Sequence, residues 1–407
     1  MVSRTYLTIV RRGLRHNAMR LVAIIGLTTI STALMTGIGL LPPKMREGIA
    51  SWAPGEVSPM QLAGTEFMTD AIERISYIFP ALFALVTALV VYLTITRLVE
   101  NERAQMGCLK SLGVPQPAIV MSYLPVPLLG CVIGGLLGLG IGYFAIAPLL
   151  FDIVQDGFGV PDVGHITPWF GIWIAVGTLV LMLLVAVVAA WAPLRSVPKD
   201  LFVPKAPKAG QALLLERVKW LWSRIAYRYK STIRNVVRYR VRFWLTVFSM
   251  LFSTVLVFMG LSLWFVLSDQ QPELQDTIGP ISVVLVVGAV LLNALVVYNI
   301  TNINIEERRR EIATLKVLGY RRFEVAGYVF REILWLALIG MIIGLPVGYG
   351  AMYLMFEYLR FGGVQFIQWY VWLYSLLLAI TSVPIADALL YRKLINTDMN
   401  SSLKTIE

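Results

Sequence analysis

The fold class this sequence predicts is an all-α integral membrane protein, with eight transmembrane helices arranged as two parallel four-helix repeats. Three observations predict it: apolar residues gather into eight long blocks, basic residues collect in one set of loops, and the chain matches itself at a fixed offset. Hydrophobic residues make up 57% of the 407 and charged residues only 14%, with a mean hydropathy of +0.73. A soluble domain balances about half apolar against about a quarter charged, and its core cannot absorb this excess.

The blocks are 21–41, 75–99, 118–150, 169–192, 243–267, 279–303, 328–356 and 370–390. Each supplies the roughly 20 helical residues that cross about 30 Å of hydrocarbon. None alternates polar and apolar over about ten residues, as a barrel strand would. The first block is too long for the apolar core of a cleavable signal, so it is expected to remain a span. Cys108 falls in a cytosolic loop and Cys131 inside a span, which excludes a disulfide framework.

A net charge of +11 could point to nucleic acid, but in a membrane protein Lys and Arg mark the cytoplasmic loops. With the N-terminus inside, only Lys44, Arg46, Arg74 and Arg360 of the 35 basic residues fall on the outer side. Both termini are therefore expected in the cytosol. No nucleic-acid partner is expected, because no basic stretch carries a base-reading module.

Sliding the chain by 206 positions lines up Glu100 with Glu306, Arg103 with Arg309, Leu109 with Leu315, Lys110 with Lys316, Leu112 with Leu318 and Gly113 with Gly319. On the same offset Val91 and Tyr92 meet Val297 and Tyr298, while Gly134, Gly138, Gly142 and Tyr143 meet Gly340, Gly344, Gly348 and Tyr349. Duplicating an even number of spans leaves both copies facing the same way, so the repeat is parallel. The expected division is an amphipathic segment 1–20, a first unit 21–192, a basic linker with a second amphipathic helix 193–242, a second unit 243–391 and a tail 392–407. Pro198, Pro204, Pro207 and Gly210 mark the linker.

The loop between the second and third spans of each unit is the most specific signal. In the second copy Ile312, Leu315 and Leu318 recur on one helical stripe, Glu306, Arg309, Glu311 and Lys316 supply a charged back, and Gly319 supplies a stop. This reads as a short cytosolic helix. Topology asks for positive charge in such a loop but not for Leu-Lys-x-Leu-Gly twice.

The stretch from Glu307 to Tyr320 and the glycine-rich span that follows resemble the signature of the FtsX-like permeases of ABC transporters, relatives of MacB and of the lipoprotein-release permeases. The first copy, Glu100 to Val114, is a weaker match. The segment 215–249 and the tail 398–407 are similar to the large two-unit members of Gram-positive bacteria. The resemblance implies a bacterial cytoplasmic-membrane permease whose loop helices are coupling helices, docking onto a separate ABC-type ATPase in two copies. ATP and Mg would then be bound by that partner. This chain carries no Gly-x-x-x-x-Gly-Lys-Ser/Thr phosphate loop, so no cofactor is expected in it and it is expected to be non-catalytic. The resemblance also implies interfacial elbow helices before each unit, here 6–20 and 214–228. The family's sizeable external domain is reduced to 42–74 in one unit and 268–278 in the other. Mechanotransmission, or export of a lipid, peptide or drug, follows from the same likeness, with membrane lipid and an extracellular or envelope protein as further partners.

The glycine rows Gly134, Gly138, Gly142 and Gly340, Gly344, Gly348 permit close packing of membrane helices. Intramembrane polar residues are few: Asn293, Asn299, Asn302, Asp387 and an Arg331–Glu332 pair. A secondary transporter or lipid scramblase would need a midplane relay or broken helices, and a scaffold regulating an envelope enzyme is a third reading. His16 and His165 sit on opposite faces, which leaves no metal site. Asp152, Asp156 and Asp162 read as a solvated acidic loop.

Overall fold

The computed structural model describes residues 17–52, 57–161, 164, 168–194, 240–270, 272–359 and 362–395. Among these residues, eight helices are long and apolar enough to cross a membrane: Ala18–Ala50, Pro59–Asn101, Pro125–Phe158, Gly171–Trp191, Phe243–Asp269, Gly279–Glu307, Phe323–Leu359 and Trp369–Ile395. Among the described residues there is no strand. Nearly all of the linker, most of the two expected elbow helices, both histidines, Arg360, Asp162 and the end of the tail lie outside the described residues.

The first unit runs α1 (Ala18–Gly39), α2 (Leu41–Ala50), α3 (Pro59–Asn101), α4 (Arg103–Ser111), α5 (Gln116–Tyr123), α6 (Pro125–Ile141), a π turn (Gly142–Ile146), α7 (Ala147–Phe158) and α8 (Pro168–Leu194). The second runs α9 (Arg240–Gln270), α10 (Pro272–Glu307), α11 (Arg309–Val317), α12 (Arg322–Leu359), a 3-10 turn (Val364–Phe366) and α13 (Trp369–Ile395). Pro42 sits in the first turn of α2, where a missing N–H leaves no bond unmade. Ser58 caps α3 by accepting from the Gln61 amide at 3.2 Å.

In both units the first span packs on the third through the glycine rows. A Cβ on Gly134, Gly138 or Gly142 would lie 2.7, 2.6 and 2.6 Å from the carbonyl oxygens of Ile25, Thr29 and Ala33. On Gly340 and Gly344 it would lie 2.9 and 2.8 Å from those of Val247 and Leu251, and on Gly348 it would meet the Phe258 ring at 3.0 Å. Backbones approach this closely only where no side chain intervenes, and dispersion between them is what holds helices together in lipid.

The units meet through the same pair of helices used twice. α1 packs on α10, α9 packs on α3, and α3 touches α10 between them. One large core with Phe79, Phe83, Phe151 and Phe258 takes residues from both units. Polar groups close the seam: the Asn299 amide donates to the Thr94 hydroxyl across it at 2.7 Å. Within the second unit, Asn293 accepts from Ser253 at 2.8 Å and donates to Ser382 and the Ala379 carbonyl.

The self-match stops at Tyr143 and Tyr349, within the π turn Gly142–Ile146 of the first unit. Beyond it the burial patterns realign one position out of step: Ala147, Leu150, Phe151 and Val154 are buried where Met352, Met355, Phe356 and Leu359 are buried, and exposed Asp152 corresponds to exposed Glu357. The widened turn absorbs one extra residue in the first unit, the usual role of an isolated π turn within an α-helix.

The two far ends differ. α9 ends at Gln270 and α10 begins at Pro272, whereas 42–50 lies in α2 and 59–74 in the far end of α3. At 43 residues and about 1.5 Å per residue, α3 is about twice as long as the hydrocarbon is thick. Lys44 lies over the Phe151 ring at 3.5 Å and Arg46 pairs with Asp70 and Glu73. The short segment read from sequence is thus a small helical cap of one unit.

Candidate functional site: the paired loop helices

α4 and α11 are made the same way. A single non-helical residue, Glu102 at φ −103° or Arg308 at φ −97°, breaks each from the long span before it. Each ends on a left-handed glycine, Gly113 at φ 82° or Gly319 at φ 86°. In the first copy the amides of Gly113 and Val114 return to the carbonyls of Lys110 and Leu109, at 3.2 and 3.1 Å. In the second, those of Gly319 and Tyr320 return to Lys316 and Leu315, both at 3.1 Å. That crossed pair of bonds closes a helix C-terminus and needs a residue without a Cβ at the crossing.

The apolar stripe read from sequence divides in two. Ile312 is 1% exposed and, with partly buried Leu315, packs on Val325, Val329 and Leu394. Met106 and Leu109 do the same against Ile119 and Val120. Only the last member turns outward, Leu112 at 79% and Leu318 at 69% exposure. Ile312 and Leu315 therefore anchor α11 to its own unit. The outward apolar surface is Leu318 with Val317, Tyr320 and Phe323, and in the first copy Leu112. Arg309 and Glu311 are exposed beside it, while Arg103 and Lys110 are half-buried.

Three charged residues assigned to the loop face make contacts within the bundle. Lys316 donates to the carbonyls of Leu394 and Ile395, at 3.1 and 2.7 Å, and so holds the end of α13, where a cation suits the helix dipole. Glu100 takes Arg97 of its own helix at 2.8 Å. Glu306 takes Arg20 of α1 at 2.7 Å and Lys393 of α13 at 2.8 Å. Glu332 pairs with Arg308, both side chains buried, so its partner is not the neighbouring Arg331. Arg97 also reaches Glu307 at 3.1 Å, a contact that sets the bases of α4 and α11 side by side at one end of the bundle. Arg20, Arg97 and Lys393 escaped the sequence reading because each pairs with a glutamate on a helix distant in the chain.

A family model described as FtsX-like permease C-terminal matches residues 77–199 and 283–399, together more than half of the chain. The chain belongs to the FtsX-like permease family. The two matched segments of this permease begin at the spacing that separates Gly113 from Gly319. Each runs from the second span through the loop helix to the end of its unit. No curated protein and no solved structure matches the chain. As an FtsX-like permease with eight apolar helices it is a multi-pass membrane protein, from a family of membrane subunits that typically work with an ABC ATPase.

Proposed function

We propose that this FtsX-like permease is the membrane subunit of an ABC transporter, and that α4 and α11 are the coupling helices on which two copies of a cytosolic ATPase dock. The observation that carries this is the repeated geometry of break, helix and left-handed glycine. It leaves Leu112 and Leu318 projecting at one end of the bundle, with Ile312 and Met106 locking each helix to its span. A surface helix rigidly keyed to a long membrane helix converts a push at its tip into tilt of that span. Most of the described basic residues gather at this end, which supports a cytosolic orientation in a bacterial cytoplasmic membrane with both termini inside. ATP and Mg belong to the partner. The moved parts are the far ends of the spans and the α2–α3 cap, which fits mechanotransmission to an external protein, or export of a lipid, peptide or drug.

The test is capture of the ATPase by the detergent-solubilised permease. Leu318→Asp and Arg309→Glu change exposed groups and are expected to abolish or sharply reduce capture at the second unit, with Leu112→Asp doing so at the first. Capture unchanged in all three variants would remove the docking assignment.

A further inference from the structure

We infer that Glu306 is the joint through which movement of α11 reaches the first unit, an inference that rests on the coupling role proposed above. Glu306 stands two residues before the break at Arg308 from which α11 hangs. Its two carboxylate oxygens are divided between partners. Oε2 accepts from Arg20 in the first turn of α1 at 2.7 Å, and Oε1 accepts from Lys393 in the last turn of α13 at 2.8 Å. Both cations are held from behind as well: Arg20 donates to Asn17 at 2.8 Å and Lys393 to Asn302. The next residue, Glu307, is tied to the first unit a second time, through Arg97 of α3 at 3.1 Å. One turn of α10 is thereby fastened to the first and second spans of the other unit and to the last span of its own.

The arrangement transmits because of where its charges lie. The Arg20 side chain is 7% exposed, and a buried cation deprived of its counter-ion is strongly unfavourable, while the intact pair adds little net stability. Moving the end of α10 without α1 would strand Arg20. The less costly course is for the two to travel together, so the pairs act as a linkage more than as a source of stability. Glu100, the repeat counterpart of Glu306, spends its bond on Arg97 three residues earlier in its own helix.

The experiment measures the distance between spin labels at the exposed native Cys108 and at its repeat counterpart, changed as Thr314→Cys, in nanodiscs, for the permease alone and with its ATPase and ATP. Arg20→Gln and Glu306→Gln are each expected to broaden the resting distribution. The double variant should be no broader than either single one, and the nucleotide-dependent shift should be lost although the ATPase is still captured. Unchanged distributions, or broadening that adds in the double variant, overturns the joint. Should Glu306→Gln fail to fold, Arg20→Lys and Lys393→Gln decide it: the first keeps the charge and should keep the narrow distribution, while the second removes one arm and should broaden it. An ATPase that does not bind even the unaltered permease overturns the docking assignment, while the resting distances still judge the joint.

Discussion

The side-chain amide of Asn299, near the end of α10, donates to the hydroxyl of Thr94 in α3 at 2.7 Å, and both residues are buried where the two units meet. The bond crosses the seam between helices that correspond in the repeat, yet the two residues themselves do not correspond, since Asn299 aligns with Leu93. Hydrogen bonds between membrane helices are worth about 0.6 to about 2 kcal/mol. Thr94→Val, which leaves the buried Asn299 amide unpaired, is expected to lower stability in detergent by that order, Asn299→Leu to do so less because the Thr94 hydroxyl keeps its bond to the Val90 carbonyl, and the pair together to add nothing beyond Thr94→Val. An unchanged midpoint would show that the bond holds nothing.

Gly138 and Gly135 lie in the same helix and differ only in what surrounds them. A Cβ on Gly138 would press on the Thr29 carbonyl at 2.6 Å, whereas one on Gly135 meets nothing within 4 Å. Overpacking of this kind costs about 1–3 kcal/mol. Gly138→Leu should therefore lose stability by at least that amount, and Gly135→Leu should leave the unfolding midpoint close to the original. Equal losses would contradict the close approach of α1 and α6.

Arg308 and Glu332 form a buried pair at the base of α11. Removing one member of such a pair costs about 3–5 kcal/mol, because the other is left charged and unpaired. Glu332→Gln is expected to reduce folded yield and midpoint by that order, and Arg331→Gln, one residue away and half-buried, by much less. Reversal of that ranking would reassign the partner.

Cys108 is exposed in α4 and Cys131 is buried in α6. An impermeant maleimide added to intact cells is expected to leave the permease unlabelled, and to modify Cys108 alone once the membrane is opened. Labelling in intact cells would invert the orientation.

What the sequence made legible follows from how each signal is written. The eight spans are spelled out by long, predominantly apolar runs, and the loop helices by residues repeated at one offset and closed by Gly113 and Gly319. Which face of a loop helix points inward was not legible: Ile312, Leu315 and Leu318 share a stripe, and only the packing of Val325 and Leu394 beneath α11 separates the buried pair from the exposed tip. The charged contacts were hidden for another reason. Arg20 and Glu306 stand 286 positions apart, and pairing at that range depends on how the units dock, which local periodicity does not record. The first spans were hidden too: Thr32 and Thr254 occupy matching places beneath Gly138 and Gly344, but unequal connections put them outside the common offset.

The extra residue at the π turn shows which parts of the two copies were free to diverge. A helix that takes in one residue without widening would swing everything beyond it by about a quarter of a revolution, throwing Phe151 towards lipid and Asp152 into the seam. The bulge cancels that swing, so the outer half of the span stays in phase with its sister while its sequence slips. Excising exposed Phe144 is therefore expected to leave a continuous α-helix with Phe151 still facing inward, whereas excising one residue a turn later would unseat it.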